Sequence, residues 1–135
     1  MSETKILKVR TRDGRVEHCQ LKVSIAPPWT LSFVGLSMRL SDIAASDLFD
    51  GLCMIRKQLE TFGAQISCAG ARLDVFPSGM SRSMSGGRKA YITRFGAPAL
   101  QGDLIDIFDP AEPDLVGTVA QQEEYHDKWI LSLQR

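Results

Sequence analysis

Five large apolar residues between positions 48 and 62 constrain the fold of this chain most. They recur at spacings of four, three, four and three residues, which places one stripe on an α-helix: Leu48, Leu52, Ile55, Leu59 and Phe62. Ser46 precedes the stripe as a predicted N-cap, and Gly63 follows it as a predicted stop. The sequence therefore predicts an amphipathic helix that must bury one face against another element.

The residues before this helix alternate between polar and apolar side chains. Residues 5–10 and 16–25 both alternate, and the turn signal Asp13-Gly14 lies between them, so an N-terminal β-hairpin is predicted. Val16 and Leu21 fall on opposite faces of the second run, which favours a bulge there. Further strands are predicted within residues 29–40, 64–71, 73–76, 89–95 and 104–108.

A second helix is predicted at the end of the chain. Thr118 and Gln121 have the spacing of a capping box, and an apolar set follows with a helical repeat: Val119, Tyr125, Trp129, Ile130 and Leu133. Strands and helices do not alternate regularly, which argues against a doubly wound fold. The fold class predicted is α+β: one domain over residues 1–135, with an antiparallel or mixed sheet of about five or six strands and two main helices packed on it.

The chain has the length of a single domain, 135 residues. No apolar run approaches the roughly 20 residues of a membrane-spanning helix, so no membrane association is expected. The N-terminal residues lead directly into strand-like sequence and lack the apolar stretch of a secretion signal. These features predict a cytoplasmic protein.

Cysteine and histidine, two residue types that often carry catalysis, are few in this sequence: it has three cysteines and two histidines. The three cysteines, Cys19, Cys53 and Cys68, are widely spaced in apolar stretches, which favours buried reduced thiols over a disulfide or a zinc site. His18 lies in a predicted strand, and His126 in the last helix is interpreted as a surface side chain. Neither histidine has a nucleophile at a known motif spacing. No enzymatic activity, cofactor or metal is predicted.

The segment from Ser78 to Lys89 carries an alternative interpretation. Its glycines, hydroxyls and cations, including Arg82 and Arg88, have the chemistry of a phosphate cradle. The segment matches neither phosphate-binding glycine motif, and residues 81–87 within it are predicted to form a short polar loop or a single helical turn. A small nucleotide- or phosphate-binding enzyme that uses residues 78–89 remains the alternative function.

Charge is segregated along a chain whose net charge is zero. Residues 1–96 hold 14 Lys and Arg against 8 Asp and Glu, whereas residues 97–135 hold 8 acids and 2 bases. This asymmetry indicates an acidic face that meets a basic partner, unless folding interleaves the two regions. Asp103, Asp106 and Asp109 also have a spacing that allows paired carboxylates, but the sequence supplies no partner base or metal ligands.

Two blocks of sequence carry a family resemblance. The first is residues 68–80 (CAGARLDVFPSGM) continuing through 86–91 (GGRKAY), and the second is 103–109 (DLIDIFD), followed by 117–119 (GTV) and the helix at 121–133. With residues 47–50 (DLFD), they resemble small bacterial proteins encoded beside polymorphic toxins, including immunity proteins of contact-dependent growth inhibition systems. The similarity spans roughly residues 33–133.

The resemblance implies a protein that binds and neutralises the toxic C-terminal domain of a cognate effector, often a nuclease. It does not imply direct binding of nucleic acid, and it assigns no contact residues. A nuclease presents a cationic groove, so the expected contacts are acidic: Asp106, Asp109, Glu112, Asp114, Glu123, Glu124 and Asp127. The basic loop around Arg82 and Arg88 is the rival contact surface, and a general interaction module with another partner is a third hypothesis.

Overall fold

The computed structural model describes residues 1–134. Its larger sheet has five antiparallel strands in the order β4-β3-β2-β1-β5. These strands are β1 (Ser2–Arg10), β2 (Val16–Ser24), β3 (Thr30–Gly35), β4 (Met38–Ala44) and β5 (Gln65–Ile66). The helix α1 (Leu48–Glu60) follows β4 and packs on one face of the sheet.

The predicted N-terminal hairpin is confirmed. Strands β1 and β2 pair without interruption from Ser2 opposite Ser24 to Arg10 opposite Val16, so the bulge predicted in β2 is wrong. A register shift occurs instead between β3 and β4, beside Leu31 and Phe33. Residues 29–40 were predicted as one strand, but a turn at 36–37 divides them between β3 and β4.

The predicted central helix is confirmed, with two corrections. Asp47 is the N-cap rather than Ser46, because its carboxylate accepts a hydrogen bond from the Asp50 amide at 2.7 Å. Phe62 lies beyond the last helical residue, and 64% of its surface is exposed. The other four residues of the stripe are buried and pack into a core with the inward side chains of the sheet, which include Leu21, Leu31 and Phe33.

A second, smaller sheet was not predicted. It contains β6 (Val75–Phe76), β7 (Lys89–Ile92) and β8 (Leu104–Asp106) in the order β6-β7-β8. These strands are shorter than the predicted ones, and residues 69–71 form a turn of 3₁₀-helix where a buried strand was expected. Residues 79–85 form a short helix, α2 (Gly79–Ser85), in place of the predicted loop or single turn.

The C-terminal helix α3 (Val119–Ser132) begins as predicted, with the Thr118–Gln121 capping box present. Its predicted buried face is wrong in part: Val119 is buried, but Ile130 and Leu133 are exposed, and Gln122 is buried instead. Among the described residues, no helix combines the length and the apolar character that crossing a bilayer requires. The chain is an α+β protein with two antiparallel sheets.

Candidate functional site

The acidic residues predicted to contact a partner lie on three elements. Asp106 ends β8, and its carboxylate accepts hydrogen bonds from Arg88 Nε and from the Phe108 amide, both at 2.9 Å. Only 17% of the Asp106 side chain is exposed. Asp106 therefore holds Arg88 and the chain after β8 in place, and its carboxylate is not free to meet a partner.

Three of the predicted acids lie in the segment that joins β8 to α3. Asp109, Glu112 and Asp114 are all exposed. Asp114 is 98% exposed at its side chain and lies 3.8 Å from the Arg10 guanidinium. The backbone of the segment is anchored, because the Asp109 carbonyl accepts from the Ala69 amide at 2.7 Å. These carboxylates are thus displayed from a fixed backbone.

The remaining three acids lie on α3 and are exposed. Glu123 and Asp127 are four residues apart and share one helical face, whereas Glu124 forms an ion pair with Lys128 at 3.0 Å. Folding interleaves some charges, since Arg88 pairs with Asp106 and Arg94 with Asp103. Within residues 1–134, neither Glu123 nor Asp127 has an ion-pair partner, so the acidic face predicted from the charge asymmetry persists on α3.

A buried polar network fixes the position of α3. Arg56, on α1, is 2% exposed and donates to the Gln122 Oε1 atom at 2.6 Å and to the Gly117 carbonyl at 3.0 Å. The Gln122 amide nitrogen in turn donates to the carbonyls of Gly70, Arg72 and Val75 at 2.8–2.9 Å. Val119 also packs there, and its amide donates to Glu60 at 3.0 Å.

Sequence reasoning missed this network. Arg56 follows Leu52 by four residues and precedes Leu59 by three, so it lies on the buried face of α1. Gln122 follows Val119 by three residues and precedes His126 by four on α3, so it also lies on the inner face of its helix. Because arginine and glutamine are usually exposed, the apolar pattern alone gives no reason to place them inside. Their helical spacing was the available signal.

Two grooves flank α3. One, of about 350 Å³, lies between α1 and α3 and is lined by Phe49, Cys53, Met54, Lys57, Phe76 and Glu123, among others. The other, of about 410 Å³, lies between α3 and the small sheet and is lined by Phe76, Met80, Tyr91, Pro98, His126 and Trp129, among others. We call the exposed side of α3 together with these grooves the α3 surface.

His126 corrects the prediction of a surface histidine. Its ring is half-buried and stacks on Phe76, with the ring centroids 3.9 Å apart. The centroid of the Trp129 ring lies 5.7 Å from that of His126. The Nδ1 atom is enclosed and has no hydrogen-bond partner among the described residues. Burial lowers the pKa of His126, because the charged imidazolium is disfavoured there. The neutral ring acts as one wall of the aromatic groove.

The two arginines of the predicted phosphate-binding segment are engaged with carboxylates, whereas Lys89 is exposed. Arg82 pairs with Asp47 at 2.8 Å and with Asp50 at 3.2 Å. Arg88 pairs with Glu3 at 2.8 Å as well as with Asp106. An anion would therefore have to displace existing partners of both arginines. The same contacts weaken the rival hypothesis that these arginines meet an acidic toxin.

The cysteines are free thiols, and Cys19 and Cys68 are buried as predicted, while Cys53 is partly exposed. Burial raises the pKa of Cys19 to about 11 and that of Cys68 to about 12. In the part of the chain that the structure describes, no group of three His, Cys, Asp or Glu side chains is placed to hold a metal ion. No protein-family model and no curated protein matches this sequence.

Proposed function

We propose that this chain is a cytoplasmic immunity protein that binds and neutralises the toxic C-terminal domain of a contact-dependent growth inhibition effector. It acts by binding alone, and its partner is a basic domain such as a nuclease. The observation that carries the proposal is the α3 surface, where unpaired carboxylates adjoin grooves lined by aromatic and methionine side chains.

The composition of the α3 surface supports a role in protein binding. Protein interfaces are enriched in aromatic residues and methionine at the centre and have a polar rim. Here Trp129, Tyr91 and Met80 line a groove, and 69% of the Met80 surface is exposed. Methionine adapts to the shape of a partner because its side chain is flexible and polarisable. These residues are expected to form the apolar part of the contact.

The charge of the α3 surface favours a basic partner. Glu123 lines the groove between α1 and α3, and Asp127 lies one turn further along the same face. Carboxylates without a partner in the free protein can pair with lysine or arginine of the toxin without first breaking an existing contact. Opposite charges also steer the two proteins together and raise the association rate. Asp109 and Glu112 extend the acidic set outside α3.

The test is charge reversal on α3. In a Glu123→Lys/Asp127→Lys variant, the association rate with the effector domain encoded by the neighbouring gene should fall about tenfold or more at low salt. Added salt should reduce this difference, because it screens exposed charges. Stopped-flow fluorescence at several salt concentrations measures both effects.

A matched control separates the α3 surface from the net charge. An Asp13→Lys/Glu17→Lys variant changes the net charge equally but alters the hairpin between β1 and β2. It should associate nearly as fast as the wild type. The proposed interface is wrong if the α3 variant binds at the wild-type rate in low salt, or if both variants slow association equally.

A further inference from the structure

The five-stranded sheet has a second face, which α1 does not cover. In the central parts of β1 and β2, inward residues such as Leu7 and Leu21 are buried, whereas the alternate residues, such as Lys8 and Lys22, point outward and are exposed. The register aligns these outward positions across the strands: Lys22 lies opposite Thr4 and Ser32, and Gln20 lies opposite Ile6 and Val34. We call this outward side of β1–β4 the outer sheet face.

The charge on the outer sheet face is predominantly positive. Lys8, Lys22 and Arg39 occupy outward positions, and none of them has an ion-pair partner among residues 1–134. Arg10 also points outward, and its one ion-pair contact is the long one to Asp114. Asp42, at the rim, is exposed and is the carboxylate nearest this group along β4. The face is therefore opposite in sign to α3.

The register shift between β3 and β4 opens a pocket in this face. The pocket has a volume of about 300 Å³ and is lined by polar and charged side chains and one valine: Thr4, Gln20, Lys22, Ser32, Val34, Arg39, Ser41 and Asp42. Two cations, three hydroxyls and an amide can donate hydrogen bonds to an anion there, against one carboxylate, that of Asp42. The Asp42 amide donates to Ser32 Oγ at 2.9 Å and so fixes the backbone at the rim.

We propose that the outer sheet face binds an acidic protein surface, with a carboxylate side chain of the partner held between Lys22 and Arg39 in this pocket. Charge complementarity identifies the partner as acidic. The outward positions of β1–β4 carry one imidazole, that of His18, and no Phe, Tyr or Trp on which nucleic-acid bases could stack, which favours protein over nucleic acid. The exposed aliphatic side chains of Ile6, Val16 and Val34 supply the apolar contact of a protein interface.

This site is distinct from the α3 surface. The helix α1 covers the inner face of the sheet, and α3 packs on α1 and β6, so the outer sheet face lies on the other side of the sheet. A basic toxin and an acidic protein would use separate surfaces of the same chain. The immunity protein would then connect its toxin to a second protein.

The experiment uses a short fluorescein-labelled peptide rich in glutamate and leucine as the probe. We expect salt-sensitive binding by fluorescence anisotropy, with ¹⁵N-NMR shift changes confined to β1–β4. A Lys22→Glu/Arg39→Glu variant should bind the peptide about tenfold or more weakly. The control Lys57→Glu/Lys128→Glu changes the net charge equally on α1 and α3 and should bind like the wild type.

Other occupants give different results, and each would overturn the proposal. Tighter binding of polyuridylate than of the peptide would make the outer sheet face a nucleic-acid site. Saturation by inorganic phosphate at low millimolar concentration, with no gain for the peptide, would make it a small-anion site. A dimer in sedimentation velocity that Lys22→Glu/Arg39→Glu dissociates would make it a self-association surface.

Absence of peptide binding, or equal binding by Lys22→Glu/Arg39→Glu and the control, would also overturn the proposal. The test requires no toxin, so it is independent of the proposed immunity function. The Glu123→Lys/Asp127→Lys variant should bind the acidic peptide at least as well as the wild type. If the binding experiment contradicts the proposal for one surface, the proposal for the other surface is still tested by its own experiment.

Discussion

Different interactions stabilise the two halves of the molecule. The N-terminal half is residues 1–66, with the five-stranded sheet and α1, and the C-terminal half is residues 67–134, with the small sheet and α3. In the N-terminal half, α1 is attached to the five-stranded sheet by apolar side chains such as Leu21, Phe33 and Leu52, all fully buried. In the C-terminal half, α3 buries only Val119 and Gln122 among its residues. It is attached largely by polar contacts: Gln122 is joined to Arg56 and to three backbone carbonyls, and Trp129 donates to the carbonyls of Arg94 and Ala97. The His126 ring also stacks on Phe76.

This difference explains how α3 can display so many functional side chains. An apolar contact is nondirectional and needs a wide buried stripe, whereas hydrogen bonds fix orientation through a few atoms. Because Gln122 and Arg56 hold α3 from beneath, and Trp129 holds it from the side of the small sheet, the outer face of α3 is left to carry exposed acids such as Glu123 and Asp127. The buried polar network thus fixes the position of α3, although this helix buries little apolar surface.

The largest effect is expected from a substitution of Gln122, which tests whether its hydrogen bonds attach α3. Gln122→Leu keeps the approximate volume but removes the closest acceptor of Arg56 and the Gln122 donor from three carbonyls, of which only that of Gly70 also accepts from Arg56, at 3.3 Å. We expect the free energy of unfolding to fall by about 2–3 kcal/mol, because buried polar groups lose hydrogen bonds. Chemical denaturation followed by circular dichroism measures it.

The matched control is Leu52→Met, which also conserves volume at a fully buried position of the apolar half. It should cost less than about 1.5 kcal/mol. Adding Arg56→Met to Gln122→Leu should cost less than the sum of the two single effects, because the stranded charge is removed. If Gln122→Leu is as mild as Leu52→Met, the polar network does not hold α3.

The contrast between the halves also determines what sequence reasoning could predict. The hairpin and α1 were predicted because alternation and the stripe from Leu48 to Leu59 are direct consequences of apolar burial. The small sheet was missed as a separate unit because strands of two to four residues are too short to show a period. The start of α3 was predicted from Thr118 and Gln121, but its buried face was not, because that face is centred on a glutamine.

A smaller effect is expected where an ion pair joins the halves. Arg88 bridges Glu3 on β1 and Asp106 on β8. Hydrogen bonding to Arg88, and then to Lys5, lowers the pKa of Glu3 from its usual 4.5 to about 2. A carboxylate whose pKa is lower in the folded state stabilises the fold above its unfolded pKa, and this contribution is lost as the pH falls from about 4.5 toward 2.

Glu3→Gln should therefore lower stability at neutral pH and flatten the dependence of stability on pH in that window. The difference from the wild type should disappear near the pH at which Glu3 becomes protonated. Urea unfolding across the acidic range measures it, and Glu112→Gln, at an exposed acid of the connecting segment, is the control. An unchanged slope in Glu3→Gln would show that this bridge does not couple the halves.

The candidate site was predictable only in part, for a related reason. Charge asymmetry along the sequence predicts acids that can meet a partner on α3, and Glu123 and Asp127 are exposed there. The same asymmetry misjudged Asp106, since the sequence does not show that Arg88 lies beside it. The outer sheet face was not predicted, because its cations lie on different strands. Only the pairing register of the strands brings them to one face.

The smallest effect concerns which half opens first. The buried thiols of Cys19, in the middle of β2, and Cys68, beside the backbone that Gln122 holds, both have strongly raised pKa values and stay protonated near neutral pH. Because both side chains are also buried, a thiol reagent reaches them only when the structure opens. Water can replace the hydrogen bonds around Gln122 more easily than the apolar contacts of the sheet. Cys53, which is partly exposed, should react first, Cys68 second and Cys19 last.

Mass spectrometry of peptides labelled in low denaturant distinguishes the three sites. Labelling of Cys68 ahead of Cys19 means that the backbone between β5 and β6, which Gln122 holds, opens before β2 does, and Gln122→Leu should widen the gap between their rates. Equal rates would mean that the halves unfold as one unit, so that the difference in their attachment has no consequence for their opening. A polar attachment that yields first would let α3 adjust to a partner while the sheet keeps its shape.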